Sequence, residues 1–579
     1  MRYTLKDSEI KEVVDLLINK YELSTNFLNK LYGIEEKEIA GDILEKFDYM
    51  ILDKYYLCRL IVLREGINLL SNRELRKKIL DKLDDETIIK LYEKYPANNS
   101  RITTASYMRK PLSEKKWVSG KRWAQDFVKY SGFPEILAGI GAKREEIKRS
   151  VQIIEPKRKV PELVDYQIKI KDKILNTLNL QEDKTRCMIS LPTGGGKTRV
   201  AVEAFLDWMV SRFENKKYML WIAQSEELCE QCISCIEQMW SSREFILPLP
   251  IYRCFSKYEI NEDDLQGGVV VASINKIYNG LKKDSDVIKT ILSNTGAMII
   301  DEAHRASSAM YDELFKQANK LTNGQLFPVC GLSATPGRNT IIGQSEVEKL
   351  VDRFQMNLIT PEFEDNEKYK ENPLEYFKEN KYLAKVNHII YRSNIEYTLT
   401  EKELQDLKEN GEYSQVHLKR LAEDTNRNIL IIRRLLKIQK GIPTLIYACT
   451  VKHAKFLSTM LSAMGRKTAY IDSDTNKMER RIIIKQFTDG EIDFLFNYGV
   501  LTTGFDAPKT RNIVICRPIN SNILYEQIVG RGIRGTRFGG TDECDVIDFS
   551  DNIHNLGKQQ AYMRFKEFWD SEDEEQNLS

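Results

Sequence analysis

The stretch that decides the fold runs from Leu191 to Thr198 and has the sequence LPTGGGKT. Before it, residues 187–191, CMISL, are mostly apolar and short enough for a buried parallel strand. After it, apolar residues recur at three- and four-residue spacing, which predicts an amphipathic helix. The three glycines therefore form a turn that leads from a strand into a helix.

Such a turn suits a phosphate group. Glycine lets backbone N–H groups approach a phosphate closely, and the helix N-terminus adds a partial positive charge. Lys197 would then reach the β- and γ-phosphates of a nucleotide, and the Thr198 hydroxyl would ligate Mg²⁺. The stretch departs from the usual phosphate-loop pattern because Leu191 stands where that pattern has its first glycine. For these residues alone, a glycine turn without a ligand is the alternative.

Length and composition limit the class of protein. A chain of 579 residues is too long for one core and predicts about three or four domains. Charged residues make up 30% and hydrophobic residues 42% of the chain, as in ordinary globular proteins. No apolar run is long enough to span a membrane, and the first residues, MRYTLKDSEI, lack the apolar core of a signal peptide. We therefore expect a cytoplasmic protein that does not act at a membrane.

The ten cysteines are scattered, which indicates reduced thiols. Cys229, Cys232 and Cys235 have CxxCxxC spacing, with Cys254 beyond them, and such spacing occurs in iron–sulfur sites. Residues 225–240, SEELCEQCISCIEQMW, also fit one continuous helix, on which three-residue steps place small apolar side chains along one stripe. We favour the helix, and the iron–sulfur site is the alternative.

Positive charge is concentrated in one segment. Residues 101–160 hold 15 Lys and Arg against 6 Asp and Glu, a net +9 in a chain whose total is +2. Basic groups interleaved with aromatic side chains suit a nucleic-acid backbone and its bases. A solvated basic face above core aromatics is the alternative. The aromatic residues of this segment that we single out are Tyr107, Trp117, Trp123 and Tyr130.

The hydrophobic pattern divides the chain. Residues 1–155 show helical periodicity and predict a helical accessory domain. From 156 to 355, short apolar runs alternate with helical segments, as expected of a parallel sheet with crossover helices. A charged linker at 356–380 follows, the alternation resumes over 381–562, and residues 563–579 form an acidic tail that we expect to be disordered. Two α/β units predict a cleft between them, with a nucleotide at the carboxyl ends of the strands.

Two carboxylates follow the apolar run at 298–300 in the sequence MIIDEAH. Asp301 at a strand end can hold the Mg²⁺ that bridges the β- and γ-phosphates, and Glu302 can orient or deprotonate the attacking water. Because they follow the glycine turn in this order along the chain, we predict an ATP-hydrolysing site that uses Mg²⁺.

Further motifs between residues 160 and 550 resemble those of the superfamily 2 helicases and translocases. DYQ at 165–167 resembles their adenine-reading glutamine motif. WIAQSEEL and VVVASINK resemble motifs that contact the nucleic-acid backbone, and GLSATPGR resembles the motif that couples hydrolysis to strand movement. In the second unit, IYACTVKHA and NYGVLTTGFDAP resemble motifs IV and V, and EQIVGRGIRG matches the pattern QxxGRxxR.

The resemblance implies a role for each matched residue. The implied catalytic residues are Lys197, Asp301, Glu302, Gln527, Arg531 and Arg534. The implied ATP-binding residues are Gln167, Thr193, Gly194, Gly195, Gly196, Lys197, Thr198, Gly504 and Asp506, with Mg²⁺ held through ATP by Thr198 and Asp301. The implied nucleic-acid contacts are Gln224, Ser273, Thr450, Thr502 and Thr503. The residues implied to couple hydrolysis to movement are His304, Ser333 and Thr335.

The arginines also fit this role on physical grounds. A transferring phosphoryl group spreads negative charge over its oxygens, and arginine is always charged and can bind two of those oxygens at once. Taken alone, GRGIRG is also compatible with a basic surface turn. His304 follows the two carboxylates closely enough to hydrogen-bond Gln527 across the cleft.

Within the superfamily, three stretches resemble the DEAH-type helicase subunits of type III restriction enzymes and their stand-alone bacterial relatives. They are LPTGGGKTRVAVEAF, IDEAHRASSAMYDEL and IVGRGIRGTRFGGTDECDVIDFSDN. This implies an α/β protein with two tandem RecA-like parallel-sheet domains and a mainly helical N-terminal domain. It also implies an ATP-dependent translocase or helicase that acts on DNA, in an anti-phage defence or DNA repair system.

The alternatives concern what ATP turnover does and which polymer is bound. The chain shows no PD-(D/E)xK-like or HNH-like nuclease signature, so a partner nuclease or another defence component, bound through the N-terminal domain, is one implied partner. An ATPase switch or sensor that licenses a partner effector is a second interpretation, and an RNA helicase is a third. The intact set of Lys197, Asp301, Glu302, Arg531 and Arg534 argues against a structural scaffold with a degenerate ATPase.

Overall fold

The computed structural model of the protein contains a helical N-terminal region and two β-sheets flanked by helices. The residues that it describes are 3–96, 104–140, 151–154, 160–181, 183–211, 217–243, 248–325, 327–333, 344–363, 366–410, 412–501, 507–553 and 574–577.

The N-terminal region is mainly helical, which confirms the prediction. The side chains of Asp53, Asn72 and Asp84 accept hydrogen bonds from the first turns of α4, α5 and α6, and these caps explain where the three helices begin. A π-helical turn, Leu16–Lys20, extends the first helix. The helices are α1 (Asp7–Asp15), α2 (Thr25–Tyr32), α3 (Ile34–Lys46), α4 (Lys54–Glu65), α5 (Arg73–Lys82), α6 (Asp85–Lys94), α7 (Ala105–Glu114) and α8 (Arg122–Ser131).

The first sheet has the strand order β1-β4-β5-β3-β6-β7-β2-β8, and its pairs are parallel except for β1 with β4. Its strands are β1 (Val151–Ile154), β2 (Arg186–Ser190), β3 (Tyr218–Ala223), β4 (Leu249–Cys254), β5 (Gly268–Ser273), β6 (Thr295–Ile300), β7 (Val329–Ser333) and β8 (Leu358–Ile359). Its helices are α9 (Asp165–Leu178), α10 (Lys197–Val210), α11 (Glu226–Ser241), α12 (Ile274–Lys282), α13 (Asp286–Ser293), α14 (Ala309–Leu321) and α15 (Gln344–Arg353).

The second sheet has the order β11-β12-β10-β13-β14-β9-β15, and all its pairs are parallel. Two short helices, α16 (Glu367–Glu371) and α17 (Pro373–Glu379), precede it. Its strands are β9 (Lys385–Tyr397), β10 (Thr444–Tyr447), β11 (Thr468–Ile471), β12 (Phe494–Asn497), β13 (Asn512–Ile515), β14 (Glu543–Ile553) and β15 (Glu574–Asn577). Its helices are α18 (Glu401–Asn410), α19 (Gln415–Glu423), α20 (Thr425–Lys437), α21 (Val451–Ala463), α22 (Lys477–Thr488) and α23 (Asn522–Val529).

The two parallel sheets confirm the predicted α/β fold class. Three strands lie outside the predicted limits of the domains whose sheets they join. Strand β1 lies before residue 156 yet pairs with the first sheet, and β8 lies in the predicted linker yet pairs with β2. In the acidic tail, for which composition predicts disorder, β15 pairs with β9. Strand pairing uses backbone groups, so acidic side chains do not prevent it.

The strand order of the first sheet separates two groups of motifs. The glycine turn follows β2 and the carboxylates follow β6, with β7 between these two strands. Gln224 follows β3 and Ser273 ends β5, and these strands lie on the other side of β6. The fold thus places the glycine turn and the two carboxylates on one half of the carboxyl edge of this sheet, and Gln224 and Ser273 on the other half.

The N-terminal helices pack on the second unit. Helix α4 contacts α21, helix α3 contacts α20, and the apolar residues of all four helices share one core cluster. A separate contact joins the N-terminal region to α22, where the Tyr3 backbone N–H donates to Gln486 Oε1 at 3.2 Å. Helix α21 carries few charged residues because it is buried between the second sheet and α4.

The cysteine-containing segment is one continuous helix, α11, as predicted. Cys229 and Cys232 are buried in it, and the part of the chain that the structure describes holds no group of His, Cys, Asp or Glu residues suited to a metal. Among the same described residues, no helix is long and apolar enough to cross a membrane.

Candidate nucleotide-binding cleft

The glycine turn joins β2 to α10 as the sequence predicts, and Lys197 is the first residue of that helix. Gly196 has φ 83°, a left-handed conformation that glycine adopts without strain. Lys197 Nζ donates to the carbonyl oxygens of Leu191 at 2.9 Å and Pro192 at 3.4 Å, so the lysine folds back over the turn. The N–H groups at the start of α10 and the ammonium group are thereby brought to the same side of the loop.

Asp301 and Glu302 stand at the carboxyl end of β6. Asp301 is 9% exposed, and its backbone N–H donates to Ile222 of the neighbouring strand β3. Burial and the adjacent Glu302 raise the pKa of Asp301 to about 7. Glu302 has φ 50° and ψ 49°, a conformation that residues other than glycine rarely adopt. The two neighbouring carboxylates therefore repel each other, and the backbone of Glu302 is strained. A bound cation would reduce the repulsion between the carboxylates.

His304 lies beside these carboxylates and is 7% exposed. Its Nδ1 is 3.3 Å from Glu302 Oε2, and burial lowers the pKa of the imidazole. Within the described residues, no hydrogen bond joins His304 to Gln527, which is the contact that the sequence suggests. The structure instead brings His304 to the glutamate of its own motif.

The glutamine motif packs against the glycine turn. Tyr166 OH donates to the carbonyl oxygen of Gly195 at 2.8 Å, and Gln167 Nε2 approaches the same oxygen at 3.4 Å. A Cβ built on Gly196 would lie 2.5 Å from the Gln167 amide nitrogen, and the φ of 83° at this position favours glycine. Gln167 is 1% exposed, and its Oε1 accepts from the Val164 backbone. These contacts hold the glutamine motif against the glycine turn.

The second unit closes the cleft from the opposite side. Gly530 ends α23, and a Cβ at this position would overlap the side chain of Thr193 in the phosphate loop. Arg531 follows directly, and Arg534 forms an antiparallel bridge with Leu383. A Cβ on Gly194 would lie 3.9 Å from the Cα of Arg534. The turn that bears both arginines therefore touches the glycine turn.

Electrostatics agree with this proximity. Burial lowers the pKa of Lys197, and the carboxylates of Glu302 and Asp301 oppose that change. Arg531 and Glu526 of the second unit also act on Lys197. The lysine is thus within electrostatic reach of both units, as expected of a site that a nucleotide bridges.

An aromatic cluster connects the glutamine motif to the arginine turn. The Tyr166 ring lies 5.0 Å from Phe377 of α17 and 5.2 Å from Tyr382, measured between centroids. Tyr382 stacks on Phe538 at 5.4 Å, and Arg537 Nη1 donates to Tyr382 OH at 2.8 Å. The residues between the two units therefore contact both walls of the cleft.

Three of the five predicted nucleic-acid residues, Gln224, Ser273 and Thr450, stand at or just before helix N-termini. Ser273 caps α12 through its Oγ, which accepts from the Lys276 backbone at 3.3 Å. Thr450 caps α21 in the same way, with the His453 N–H at 3.1 Å. Gln224 precedes α11 and donates to Tyr311 OH at 2.8 Å. Helix N-termini favour phosphate groups, so these positions fit backbone contacts.

His453 belongs to a buried network under Thr450. Its Nδ1 accepts from the Cys449 backbone N–H at 3.2 Å, and its Nε2 lies 2.8 Å from Asn428 Oδ1. Because Nδ1 is an acceptor, the ring is neutral and Nε2 is its donor. Burial and the nearby Arg427 lower the pKa of His453 to about 3.

The remaining predicted residues divide into two groups. Ser333 ends β7, is fully buried and pairs in register with Ser190 of β2. Gln527 is half-buried on α23. The residues that lie outside the described part of the chain are Thr335, Thr502, Thr503, Gly504 and Asp506.

Sequence reasoning did not single out Glu526, Tyr382 or Leu383. Glu526 stands inside the quoted stretch EQIVGRGIRG, so its position next to Gln527 was a usable signal. Tyr382 and Leu383 have no such signal, because their role depends on contacts with Tyr166 and Arg534, far away in sequence.

The aromatic residues of the basic segment are mostly part of the N-terminal core. Trp123 is 5% exposed and packs edge-on against Tyr95, while Trp117 is half-buried beneath the Arg76 guanidinium. Tyr107 is 74% exposed. For the two tryptophans, the structure favours the alternative of core aromatics beneath a basic face.

Comparison with known proteins agrees with the order of these motifs. A family model described as the res subunit of type III restriction enzymes matches residues 161–338, and a helicase conserved C-terminal domain model matches residues 427–536. The putative ATP-dependent helicase IRC3 of Saccharomyces cerevisiae is 27% identical over 411 residues, which cover 70% of this chain and 53% of the yeast protein. A 51.5 kDa protein of a Lactococcus phage is 23% identical over 286 residues, which cover 48% of this chain and 55% of the phage protein. The matched part thus spans about half the length of these two relatives.

Solved structures give weaker similarity. Dbp5 of S. cerevisiae bound to RNA and ADP BeF3 is 14% identical with a TM-score of 0.46, covering 72% of this chain and 94% of that chain. A fragment of a putative HsdR subunit of a type I restriction enzyme from Vibrio vulnificus is 18% identical with a TM-score of 0.45, covering 70% and 67%. The matched domains lie in the order in which the cleft residues occur: the first unit is similar to the res subunit of type III restriction enzymes, and the second unit is similar to the conserved C-terminal domain of helicases.

Proposed function

We propose that this chain hydrolyses ATP and uses the energy to move along DNA, as a translocase or helicase. The observation that carries the proposal is the contact between the arginine turn and the phosphate loop, at Gly530 and Thr193. Because the phosphate loop and the arginines belong to different units, a nucleotide between them changes how the units fit together.

The residues of the cleft have distinct roles in this proposal. ATP lies on the glycine turn, with Lys197 at its β- and γ-phosphates. Thr198 and Asp301 would hold Mg²⁺, which would supply positive charge for the phosphate oxygens. The raised pKa of Asp301, caused by burial and Glu302, supports a cation there because positive charge stabilises the ionised carboxylate. Glu302 orients the attacking water, and Arg531 and Arg534 bind the phosphoryl oxygens.

DNA is proposed over RNA because the first domain resembles the res subunit of type III restriction enzymes. The same resemblance extends the proposal to a role in anti-phage defence or DNA repair. Helix N-termini at Gln224, Ser273 and Thr450 provide backbone contacts, which do not depend on base sequence. The proposed contact region therefore comprises Gln224 and Ser273, on the half of the first sheet's edge beyond β6, and Thr450 on the second unit.

ATPase assays with different polymers test this proposal. The rate is measured at one salt concentration with duplex DNA, single-stranded DNA and RNA, and Lys197→Ala gives the background. We expect stimulation by DNA, and stimulation by RNA alone would contradict the choice of polymer. Displacement of the third strand of a triplex tests directed movement on duplex, and unwinding of a tailed duplex tests strand separation. DNA-stimulated ATPase without either activity would favour the switch that licenses a partner effector.

The N-terminal basic face is proposed as an additional phosphate-binding surface. Lys116, Lys121 and Arg122 are exposed between α7 and the first turn of α8. Lysine and arginine side chains release counterions when they bind phosphates, so affinity that depends on them falls with salt. Buried Trp123 argues that this surface contacts the backbone and does not stack on bases.

A charge-neutralising variant tests the basic face. Replacing Lys116, Lys121 and Arg122 with Gln should weaken DNA binding and reduce the slope of log affinity against log salt by up to about 3. The matched control replaces three exposed lysines elsewhere in the same domain, Lys6, Lys30 and Lys46, with Gln. Unchanged affinity and slope in the first variant would exclude this surface and favour a protein partner, such as a nuclease, for the N-terminal domain.

A further inference from the structure

Three polar side chains form a buried cluster beneath helix α23. His388 and Tyr525 are each 1% exposed, and Asp548 is 4% exposed. His388 Nε2 lies 2.6 Å from Asp548 Oδ2, Tyr525 OH donates to the same oxygen at 2.5 Å, and the hydroxyl is 3.0 Å from His388 Nε2. No step of the proposed reaction uses these groups.

The sheet brings the cluster together. His388 on β9 pairs in register with Val546 on β14, and Asp548 lies two residues beyond Val546. Side chains two residues apart point to the same face of a strand, so His388 and Asp548 share one face of the sheet. Tyr525, in the middle of α23, reaches down to that face. Three separate elements therefore meet at one carboxylate oxygen.

The hydrogen-bond geometry fixes the donors. A carboxylate oxygen can only accept, so His388 Nε2 and Tyr525 OH both donate to Asp548 Oδ2. Hydrogen bonds to a charged acceptor are stronger than neutral ones, and a buried acceptor that loses a donor is costly. The cluster thus fixes the orientation of α23 relative to the sheet through hydrogen bonds, which apolar packing alone would not do.

We propose that this cluster positions the arginine turn for hydrolysis, with Tyr525, His388 and Asp548 as positioning residues. The inference rests on the proposed function. Tyr525 stands two residues before Gln527 and six before Arg531, and Gly530 at the end of the helix touches Thr193. Helix α23 has only eight residues, so a small rotation about its axis would move Gln527 and Arg531 away from the phosphate loop. The hydroxyl of Tyr525 sets that rotation.

Removal of the hydroxyl tests the proposal. Tyr525→Phe keeps the ring and its apolar contacts but deletes the donor. We expect kcat for ATP to fall by about tenfold or more, with KM changed by less than about twofold, because misplacement of a catalytic group affects the chemical step. The matched control is Tyr252→Phe, a buried tyrosine of the first unit whose hydroxyl donates to the carbonyl oxygen of Asp264 at 2.9 Å. Both variants lose one buried hydroxyl, but only the first should lose kcat.

A pair of variants at His388 distinguishes loss of the hydrogen-bond donor from a failure to fold. His388→Gln retains an amide donor for Asp548 and should keep most of the activity, whereas His388→Leu removes the donor and should behave like Tyr525→Phe. In an Arg531→Lys background, Tyr525→Phe should cause much less additional loss, since the hydroxyl acts through the arginine. Equal additional loss in both backgrounds would overturn the proposal.

The outcomes separate this inference from the function on which it rests. Wild-type protein without ATPase activity would contradict the proposed function itself. Wild-type activity that persists unchanged in Tyr525→Phe and His388→Leu would overturn only the positioning role. A fall in kcat that merely follows the melting temperature, and that Tyr252→Phe shares, would also overturn it.

Discussion

Gly530 of the second unit lies so close to Thr193 of the phosphate loop that a Cβ at position 530 would overlap the threonine side chain. The glycine is needed for this approach and not for its backbone conformation, because Gly530 has an ordinary helical φ of −55°. The contact brings the arginine turn to the site where Lys197, Asp301 and Glu302 meet. It therefore provides a direct test of whether the closed cleft is the hydrolysing state.

A methyl group at Gly530 should prevent this closure. We expect Gly530→Ala to lower kcat by about tenfold or more, because the new Cβ would overlap Thr193 when the cleft closes. The melting temperature should fall only modestly, because the φ of −55° suits alanine although the Cβ would lie 2.9 Å from the Glu526 carbonyl oxygen. Thr193→Ser should restore part of the rate, since it removes the methyl group nearest to the new Cβ. The control is Gly41→Ala in α3, where a Cβ meets only Leu52 at an ordinary 3.8 Å. Full activity of Gly530→Ala would contradict closure at this contact.

Substitution of Arg531 should separate binding from chemistry. Arg531→Ala is expected to reduce kcat by about 1,000-fold, the contribution typical of an arginine that stabilises a transferring phosphoryl group. Affinity for ATP, measured with a fluorescent analogue, should change little because the glycine turn and Lys197 still bind the phosphates. A variant that loses affinity and keeps kcat would assign Arg531 to nucleotide binding instead.

Substitution of Glu302 should affect ATP binding differently from substitution of Lys197. Lys197→Ala and Glu302→Gln are both expected to abolish steady-state hydrolysis. Only Glu302→Gln should still retain ATP, because it keeps the phosphate-binding groups and changes the residue that orients water. Filter retention of labelled ATP measures this difference. Wild-type hydrolysis by Glu302→Gln would show that another group orients the water.

The sequence predicted the local elements around the site because their signals are local. The apolar runs within 217–223, KYMLWIA, and 296–301, GAMIID, predicted buried parallel strands, and the structure has β3 and β6 there. Glycine spacing located the turn between β2 and α10. The cysteine spacing at 229–235 was correctly assigned to a helix since small apolar side chains repeat on one of its faces.

Other features were missed because they depend on distant parts of the chain. Strand β9 contains charged and polar residues and gives no apolar run, yet it pairs with β14 over most of its length. Strand β1 exists through its antiparallel pairing with β4, about a hundred residues away. The contacts of Tyr382 with Tyr166 and with Phe538 likewise join segments that are far apart in sequence.

The buried His453 should make stability depend on pH. Its folded pKa, about 3, lies below the ordinary value of 6.5, so the unfolded state binds more protons between these values. Stability from this group is therefore complete above about pH 6.5 and is lost as the pH falls toward 3. Between about pH 6.5 and 5.5, the loss should be about 1 kcal/mol.

Urea unfolding at both pH values measures this effect. His453→Gln should be less stable than wild type at high pH but should show a smaller change between the two conditions. His304, whose pKa is also lowered by burial, remains in both proteins and cancels from the comparison. An identical pH dependence in wild type and variant would exclude a neutral buried His453.

The N-terminal region should be inseparable from the second unit. Leu60 and Ile61 of α4 and Leu457 and Leu461 of α21 are at most 1% exposed and belong to one core cluster. Complete burial of such side chains contributes about 1.5–3 kcal/mol each, so removal of the N-terminal helices would leave α20 and α21 with a large exposed apolar surface. Deleting residues 1–140 should therefore give an aggregated protein, and coexpression of residues 1–140 as a separate chain should restore solubility. Size-exclusion chromatography and thermal unfolding measure both results. A soluble, monomeric 141–579 fragment with the wild-type melting temperature would show instead that the N-terminal helices are an independent domain. DNA binding by the basic face could then be tested by deleting these helices.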